Sequence, residues 1–306
     1  MALSLSLVIK LLFVASFAGW AVYVHYRGEA RLSFSRQLSD HSTLFAPLNW
    51  LIYTFSAVPN RPILDLADFP QLQPLMNNWQ IIRDEAVQLQ EQGAVRAADK
   101  HDDVGFNSFF RTGWKRFYVK WYDDPLPSAR RQCPKTVALV NSIPSIKGAM
   151  FASLPPGATL VAHRDPFAGA IRFHLGLATP NDDRCRIYID GKPYSWRDGE
   201  GIVFDETYIH KAYNETDKQR IILFCDVERP MRSRFAASAS RVFSDHVMRH
   251  TAASNQTADP VGFINRAFKH VYKIRLAGKA LKRWNRKVYY AVKFALVAGI
   301  VVLIVI

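Results

Sequence analysis

The central part of this 306-residue chain predicts a mainly β core, either a sandwich or a small barrel. Two stretches, Ile171 to Leu177 and Cys185 to Ile189, alternate apolar residues with other types, as strands with one buried face do. Turn signals separate the short strands, among them Asp190-Gly191 and the run from Asp198 to Gly201. Several short strands joined by turns are typical of sandwiches and barrels.

One pattern in this region has the residue types of a metal site. His163 and Asp165 are two positions apart, so on a strand both side chains lie on one face and reach the same ion. Pro166 cannot donate to a sheet ladder, which places the pair at a strand end or edge. His210 follows 47 residues after His163 on a predicted exit loop. Two imidazoles and one carboxylate are the ligand set of the facial triad that binds non-haem Fe(II). On spacing alone, a surface His-x-Asp pair and a loop histidine would give the same pattern.

Several motifs around this set resemble the aspartyl/asparaginyl β-hydroxylase family of Fe(II)- and 2-oxoglutarate-dependent dioxygenases. The matching pieces are His163, the run Arg172 to Leu177, the strand of Trp196, Phe204-Asp205, His210 and Arg220. Three further runs are similar to the bacterial inner-membrane lipid A 2-hydroxylases of that family: Gly113-Trp114-Lys115, Cys133 to Thr136 and Ser145 to Phe151. The similarity covers roughly residues 75 to 230.

The resemblance implies a double-stranded β-helix (jelly roll) with flanking helices. It implies that His163 and His210 bind Fe(II), with Asp165 completing the triad, and that Arg220 pairs with the distal carboxylate of 2-oxoglutarate. Arg172 and His174 match residues that contact the same co-substrate, and O₂ is the second co-substrate. The implied reaction hydroxylates C2 of a secondary acyl chain of lipid A and also gives succinate and CO₂.

Both ends of the chain are apolar. Ala2 to Val24 and Val288 to Ile306 are each about the 20 residues that suffice to cross a bilayer. Lys10 is costly within the first stretch, so its span begins either before or after that residue, and a signal peptide is the rival interpretation. The positive-inside rule places the domain in the cytoplasm, because basic residues flank both spans: Arg27, Arg31 and Arg36, then Lys282, Arg283, Arg286 and Lys287. The resemblance implies that the membrane is a bacterial inner membrane.

These features divide the chain into five expected parts. Residues 1–26 form an anchor, 27–70 a connector near the membrane surface, 71–230 the dioxygenase domain, 231–287 a basic amphipathic segment and 288–306 a second anchor. Within the domain, helices are predicted over residues 71–92 and 133–143. The aromatic stretch 109–123 is either a strand packed on the barrel or a wall for an acyl chain. Three cysteines without a CxxC spacing indicate buried thiols.

The strongly basic composition does not indicate nucleic acid. The formal charge is +14 and the pI about 9.8, but residues 1–39 and 260–306 together carry +13 of that charge, so the central domain is almost neutral. Apolar residues recur at helical spacing between the basic ones from Phe263 to Arg275. Such a helix suits an anionic phospholipid surface, with lipid A or a related precursor as the second membrane partner.

Two other functions fit parts of this pattern. One is a hydroxylase of Asp or Asn side chains in proteins, which would leave the two spans unexplained. The other is a metal-free jelly-roll binding or scaffold protein, which would need neither the His-x-Asp…His set nor Arg220.

Overall fold

Ten β-strands form the centre of the computed structural model, which describes residues 4–37, 40–98 and 102–305. In chain order they are β1 (Ile63–Leu64), β2 (Lys115–Trp121), β3 (Ile146–Leu154), β4 (Thr159–His163), β5 (Ala170–Ala178), β6 (Cys185–Ile189), β7 (Lys192–Ser195), β8 (Gly201–Phe204), β9 (His210–Asn214) and β10 (Arg220–Glu228).

The strands pair in two antiparallel sheets that share one interior. The larger sheet has the order β1-β8-β5-β10-β3-β2 and the smaller one the order β4-β9-β6-β7. Side chains from both sheets line a single cavity between them. This arrangement is a double-stranded β-helix, which confirms the predicted fold.

Strand β5 shows why the alternation in the sequence was informative. Its apolar side chains are fully buried, and Phe173 meets Met76 of a flanking helix beside Gly201. Arg172 and His174 alternate with them and line the interior between the sheets. The hydrophobic face of β5 therefore packs against helices, while its polar face supplies the inside of the barrel.

Gly176 permits a close approach in the same strand. A Cβ atom at this position would lie 1.9 Å from the carbonyl oxygen of Arg197. The backbone of Gly176 instead accepts from the N–H of Gly199 and donates to the carbonyl of Glu200. Any side chain here would push the turn before β8 away from β5.

Eleven α-helices surround the sheets within the described residues. They are α1 (Leu5–Tyr26), α2 (Phe34–Gln37), α3 (His41–Leu44), α4 (Ala46–Thr54), α5 (Gln73–Asn77), α6 (Trp79–Glu91), α7 (Pro127–Gln132), α8 (Pro134–Asn141), α9 (Arg234–Phe243), α10 (Phe263–Trp284) and α11 (Arg286–Val305). Short 3₁₀ segments occupy Leu66–Asp68, Pro70–Leu72, Phe109–Thr112 and Arg249–Thr251, and a π turn occupies Ser244–Met248.

The helix expected over residues 71–92 is divided in two. Asn78 leaves helical geometry (φ −113°, ψ 20°) between α5 and α6 and donates its side-chain amide to the Pro74 carbonyl. The second helix ends before Gly93, which has the positive φ of +69° that glycine tolerates. The helix expected over residues 133–143 is α8, whose first residue, Pro134, suits a helix start.

Residues 27–70, expected to be a connector, pack on the sheets. Strand β1 pairs with β8 and extends the larger sheet. Helix α4 buries Ala46, Ile52 and Tyr53 in a hydrophobic cluster that also contains Phe167. This segment therefore packs on the barrel through β1 and α4.

Two helices are long and apolar enough to cross a membrane, namely α1 and the stretch Arg286–Ile304 of α11. Helix α1 contains Lys10, and the expected first and last residues of the two spans, Ala2 and Ile306, lie outside the described residues. Trp20, Ala21 and Val24, near the C-terminal end of α1, are buried, so this end of the helix packs on the domain.

Candidate metal centre and its cavity

Adjacent strands of the smaller sheet bring the two histidines together. His163 is the last residue of β4, His210 is the first of β9, and the two are register partners with ring centroids 4.2 Å apart. Asp165 follows β4, where its backbone N–H donates to the carbonyl of Glu206 at 2.9 Å. One ligand atom from each of the three residues lies within 4.8 Å of the others.

The hydrogen bonds of both imidazoles suit metal ligation. Nδ1 of His163 is 2.7 Å from the Val161 carbonyl oxygen, and Nδ1 of His210 is 3.0 Å from that of Tyr208. A carbonyl only accepts, so each Nδ1 carries the hydrogen and each Nε2 keeps its lone pair. Burial lowers the pKa of both rings, that of His210 to about 3, which keeps them neutral as metal binding requires.

Asp165 is held as a carboxylate. Burial favours its neutral form, but the Arg172 guanidinium and then the two imidazoles hold the pKa of Asp165 below its usual value. Nη2 of Arg172 donates to Oδ2 of Asp165 at 2.9 Å. Two neutral imidazoles and one carboxylate, with all three donor atoms close together, therefore fit Fe(II).

Arg172 is shared among three carboxylates. Besides Asp165 it pairs with Glu206, and its Nε donates to Oδ1 of Asp226 at 2.9 Å. The guanidinium carbon also lies 3.6 Å from the centroid of the Phe224 ring. Sequence reasoning missed Glu206 and Asp226, although a carboxylate inside the apolar strand β10 was a usable signal for Asp226. Burial raises the pKa of Asp226, which lies on the far side of the guanidinium from the histidines.

Arg220 differs from Arg116 and Arg229, which are buried to a similar extent. Only 2% of it is exposed, no carboxylate pairs with it among the described residues, and its Nε has no acceptor. Its guanidinium carbon lies 4.4 Å from the centroid of the Trp196 ring, and burial lowers its pKa to about 10. By contrast, Arg116 pairs with Asp103 and Arg229 with Asp205. An unpaired buried cation is costly, and an anionic ligand would remove that cost.

His174 is a second polar side chain without a partner beside Arg220. Both ring nitrogens are buried and lack a hydrogen bond to any described residue, and burial followed by the charges of Arg172 and Arg220 lowers its pKa well below the usual value. Both residues line the cavity between the two sheets. Five of the six predicted site residues line this cavity, and Asp165 completes the ligand set at its edge.

Aromatic side chains close one side of the cavity. The ring of Phe109 lies 4.7 Å from that of His163, and Phe106 stacks on Trp114 at 5.0 Å. All three line the cavity, whereas Phe117 and Tyr118 pack in the hydrophobic core. Within the aromatic stretch, Phe117 and Tyr118 thus belong to a strand packed in the core, whereas Phe109 and Trp114 border the cavity.

The sequence matches a known family over the same region. A family model described as aspartyl/asparaginyl beta-hydroxylase matches residues 76–230, half of the chain. The chain belongs to this family.

Relatives of the β-hydroxylase family differ in what their names describe. The chain is 35% identical over 182 residues to the ornithine lipid ester-linked acyl 2-hydroxylase of Rhizobium tropici, covering 58% of this chain and 64% of that protein. It is 32% identical over 126 residues to the human aspartate beta-hydroxylase domain-containing protein 2, covering 38% and 34%. The chain thus spans less than two thirds of either relative. A solved Pseudomonas putida prolyl-4-hydroxylase matches 51% of this chain and 88% of its own at 15% identity, with a TM-score of 0.33.

The Phe204-Asp205 pair of the family motif connects the metal centre to the first apolar helix. Asp205 is fully buried, and its Oδ2 accepts from Arg229 and from Arg27, each at 2.8 Å. Burial opposes ionisation, but first Arg229 and then Arg27 hold the pKa of Asp205 well below its usual range. The next residue is Glu206, whose backbone carbonyl accepts from the N–H of Asp165 and whose carboxylate pairs with Arg172. Arg27, expected only as a topology signal, is therefore part of the support behind the candidate metal ligands.

Proposed function

We propose that this chain is an Fe(II)- and 2-oxoglutarate-dependent dioxygenase that hydroxylates C2 of an ester-linked acyl chain of a membrane lipid. One observation carries the proposal: the cavity that receives the candidate metal ligands also contains Arg220, a buried arginine that pairs with no carboxylate in the described part of the chain. A dicarboxylate co-substrate could bind the metal through one end and Arg220 through its distal carboxylate, because the two sites share one cavity.

The chain's own residues would have distinct roles. His163, Asp165 and His210 would hold the metal, and Arg220 would bind the distal carboxylate of 2-oxoglutarate as a two-point ion pair. Arg172 keeps Asp165 ionised, and His174 offers a neutral imidazole to the co-substrate. When bound, Fe(II) with 2-oxoglutarate and O₂ supplies the oxidant for an unactivated C–H bond, with succinate and CO₂ as products. The aromatic wall would exclude water from this reaction.

A lipid substrate is supported by the ends of the chain and by one relative. Two membrane-length helices flank the domain, and a similar protein is named as an acyl 2-hydroxylase of ornithine lipid. We infer that the substrate is a lipid with a secondary, ester-linked acyl chain, either lipid A or an aminoacyl lipid. The domain would lie on the cytoplasmic side of a bacterial inner membrane, since basic residues flank both helices.

The family also supports a second candidate, hydroxylation of Asp or Asn side chains in proteins. The human aspartyl/asparaginyl beta-hydroxylase is 26% identical to this chain over 166 residues. A protein substrate would not require the two apolar helices.

Mass spectrometry of lipids and proteins from cells with and without the gene separates these candidates. We expect lipid A or ornithine lipid to gain one oxygen atom at C2 of an acyl chain, and 2-oxoglutarate to be converted to succinate in equal amount. His210→Ala should abolish both signals and the iron content of anaerobically purified protein. His250→Ala, at an exposed position away from the cavity, is the matched control. Oxygen gain confined to protein side chains would instead establish the second candidate, and full iron retention in His210→Ala would remove this residue from the ligand set.

A further inference from the structure

The segment from His41 to Asn60 is unusual for the surface of a water-soluble domain. It contains no Asp, Glu, Lys or Arg in 20 residues and forms the short helices α3 and α4. Its inner face packs on the barrel, where Ile52 and Tyr53 are buried. Its outer face carries Leu44 and Trp50, which are 71% and 59% exposed. An uncharged two-helix layer with large exposed apolar residues is typical of a surface that meets lipid.

This layer runs alongside the membrane-length helix α1. Leu44 borders a groove with Phe13 and Phe17 of α1. Farther along, Trp50 borders a second groove with Gly19 and Tyr23 of the same helix. The α3–α4 layer therefore follows α1 from its middle towards its domain-side end.

The second apolar helix borders the same groove as Leu44. Val297 and Ile304 of α11 line it opposite Phe13. At about 1.5 Å per residue, Phe13 is about 20 Å from Tyr26, and Val297 is about 16 Å from Arg286. The hydrocarbon core of a bilayer is about 30 Å thick. If both helices cross it, the groove that Leu44 shares with Phe13 and Val297, with Asp40 at its border, extends into the hydrocarbon.

Trp50 lies at a shallower level. Its groove partner Gly19 is about 10 Å from Tyr26 along α1. Trp20, Tyr23 and Trp50 thus gather near the domain-side end of the helix, which matches the level at which Trp and Tyr concentrate in membrane proteins. The layer would then tilt into the leaflet, with Leu44 at its deep end.

We propose that the α3–α4 layer is immersed in the acyl region of the leaflet next to the domain, with lipid acyl chains covering its outer face. This surface does not depend on the reaction proposed above. It also places the metal centre close to the bilayer. His41 donates its Nε2 hydrogen to the carbonyl of Arg164 at 2.8 Å, and Asn49 donates to that of Pro166 at 2.7 Å. The immersed layer is thus bonded directly to the segment that contains Asp165.

Site-directed fluorescence quenching in lipid nanodiscs tests the proposal on the full-length protein. The native cysteines are buried and do not compete for a thiol-reactive fluorophore. Leu44→Cys and Trp50→Cys report the layer, and Ile81→Cys on α6, which packs on β5 and α8, is the control. Nitroxides are placed on phospholipid acyl chains either near the ester or near the terminal methyl, and iodide serves as the aqueous quencher.

We expect position 44 to be quenched several-fold more strongly by the deep nitroxide than position 81, and position 50 more strongly by the shallow nitroxide than by the deep one. Iodide should quench position 81 alone. Strong quenching of positions 44 and 50 by iodide would overturn the proposal, because the layer would then face water. Quenching of these two positions by neither reagent would overturn it as well, because protein would then cover the layer. Each variant must retain the thermal midpoint of the parent, and Thr54→Cys replaces Trp50→Cys if the tryptophan proves necessary for folding.

Discussion

Arg27→Met should destabilise the protein far more than the equivalent change at the neighbouring basic residue Arg31. Both residues follow α1 and contribute equally to the positive charge that orients a membrane helix. They differ in the structure, because Arg31 is exposed whereas the side chain of Arg27 is 5% exposed and bonded to Asp205. If Arg27 only set the membrane topology, Arg27→Met and Arg31→Met would change stability equally. The two variants therefore separate a role in topology from a role in the ion pair with Asp205.

The size of the effect follows from the contacts of Arg27. Its guanidinium donates to Asp205 at 2.8 Å, to Thr207 at 2.7 Å and to the hydroxyl of Tyr53 at 2.5 Å, and it lies 3.9 Å from the ring centroid of Tyr208. Breaking a buried ion pair by removing one partner costs about 3–5 kcal/mol. Since Arg229 still pairs with Asp205, we expect the lower end, about 3 kcal/mol. Arg31→Met should cost less than about 0.5 kcal/mol, as exposed substitutions usually do.

Thermal unfolding of the full-length protein in detergent measures this difference. About 3 kcal/mol corresponds to a fall in Tm of about 6–12 °C, on the scale of about 2–4 °C per kcal/mol for proteins of this size class. Fe(II) or Co(II) binding should weaken in parallel, because Asp205 precedes Glu206, which positions Asp165. Equal Tm values for Arg27→Met and Arg31→Met would refute the inference that Asp205 anchors α1 to the domain.

Three further predictions concern the cavity and the basic helix. Arg220→Lys should raise the KM for 2-oxoglutarate at least tenfold (about 1.4 kcal/mol) and change the Tm little, because lysine offers a point charge where arginine makes two parallel bonds; an unchanged KM would remove Arg220 from the co-substrate site. Because the folded pKa of His174 lies well below its unfolded value of about 6.5, stability should fall as the pH drops below about 6.5, by up to about 1.4 kcal/mol per pH unit. His174→Gln should reduce that slope between pH 5 and 7 in thermal melts, and an unchanged slope would mean that the folded protein binds a proton at His174. A fluorophore on the apolar face of α10 should report a lipid environment in anionic vesicles but not in zwitterionic ones, and high salt should reverse the change. Three basic residues of this helix, Arg266, Lys273 and Lys279, should contribute to its binding. Changing all three to glutamine should make the free energy of binding to anionic vesicles less favourable by up to about 3 kcal/mol.

The features that sequence reasoning predicted well depend on local chemistry. The alternation in β5 and β6 reflects the two faces of each strand, and the Asp190-Gly191 turn has the two positive φ angles, +50° and +84°, that such a turn requires. The same logic placed His163 at a strand end before Pro166. These features could be predicted because each is set by residues within a few positions of one another.

The features that were missed depend on distant partners. Strand β1 has only two residues and no periodicity, and it exists because β8 offers an edge 140 positions away in sequence. Glu206 gave no local signal of its pairing with Arg172, and Arg27 carries the same charge as the exposed Arg31 four positions later. The sequence gives the type of each charged residue, but only the folded chain shows which distant residue it pairs with.

Strand β10 shows why the partner decides the role of a buried charge. Arg220 begins the strand, Arg229 follows its last residue, and both are almost fully buried. Arg229 is compensated within the protein by Asp205 and by the carbonyl of Ala168, so its role is structural. Arg220 lies over Trp196 with no carboxylate among the described residues, beside a histidine whose nitrogens also lack partners. Folding must then supply the free energy to bury this cation, which an apolar residue at the same position would not require. A carboxylate ligand that reaches Arg220 recovers that free energy on binding, which is why we propose the unpaired arginine, rather than the paired one, for the co-substrate site.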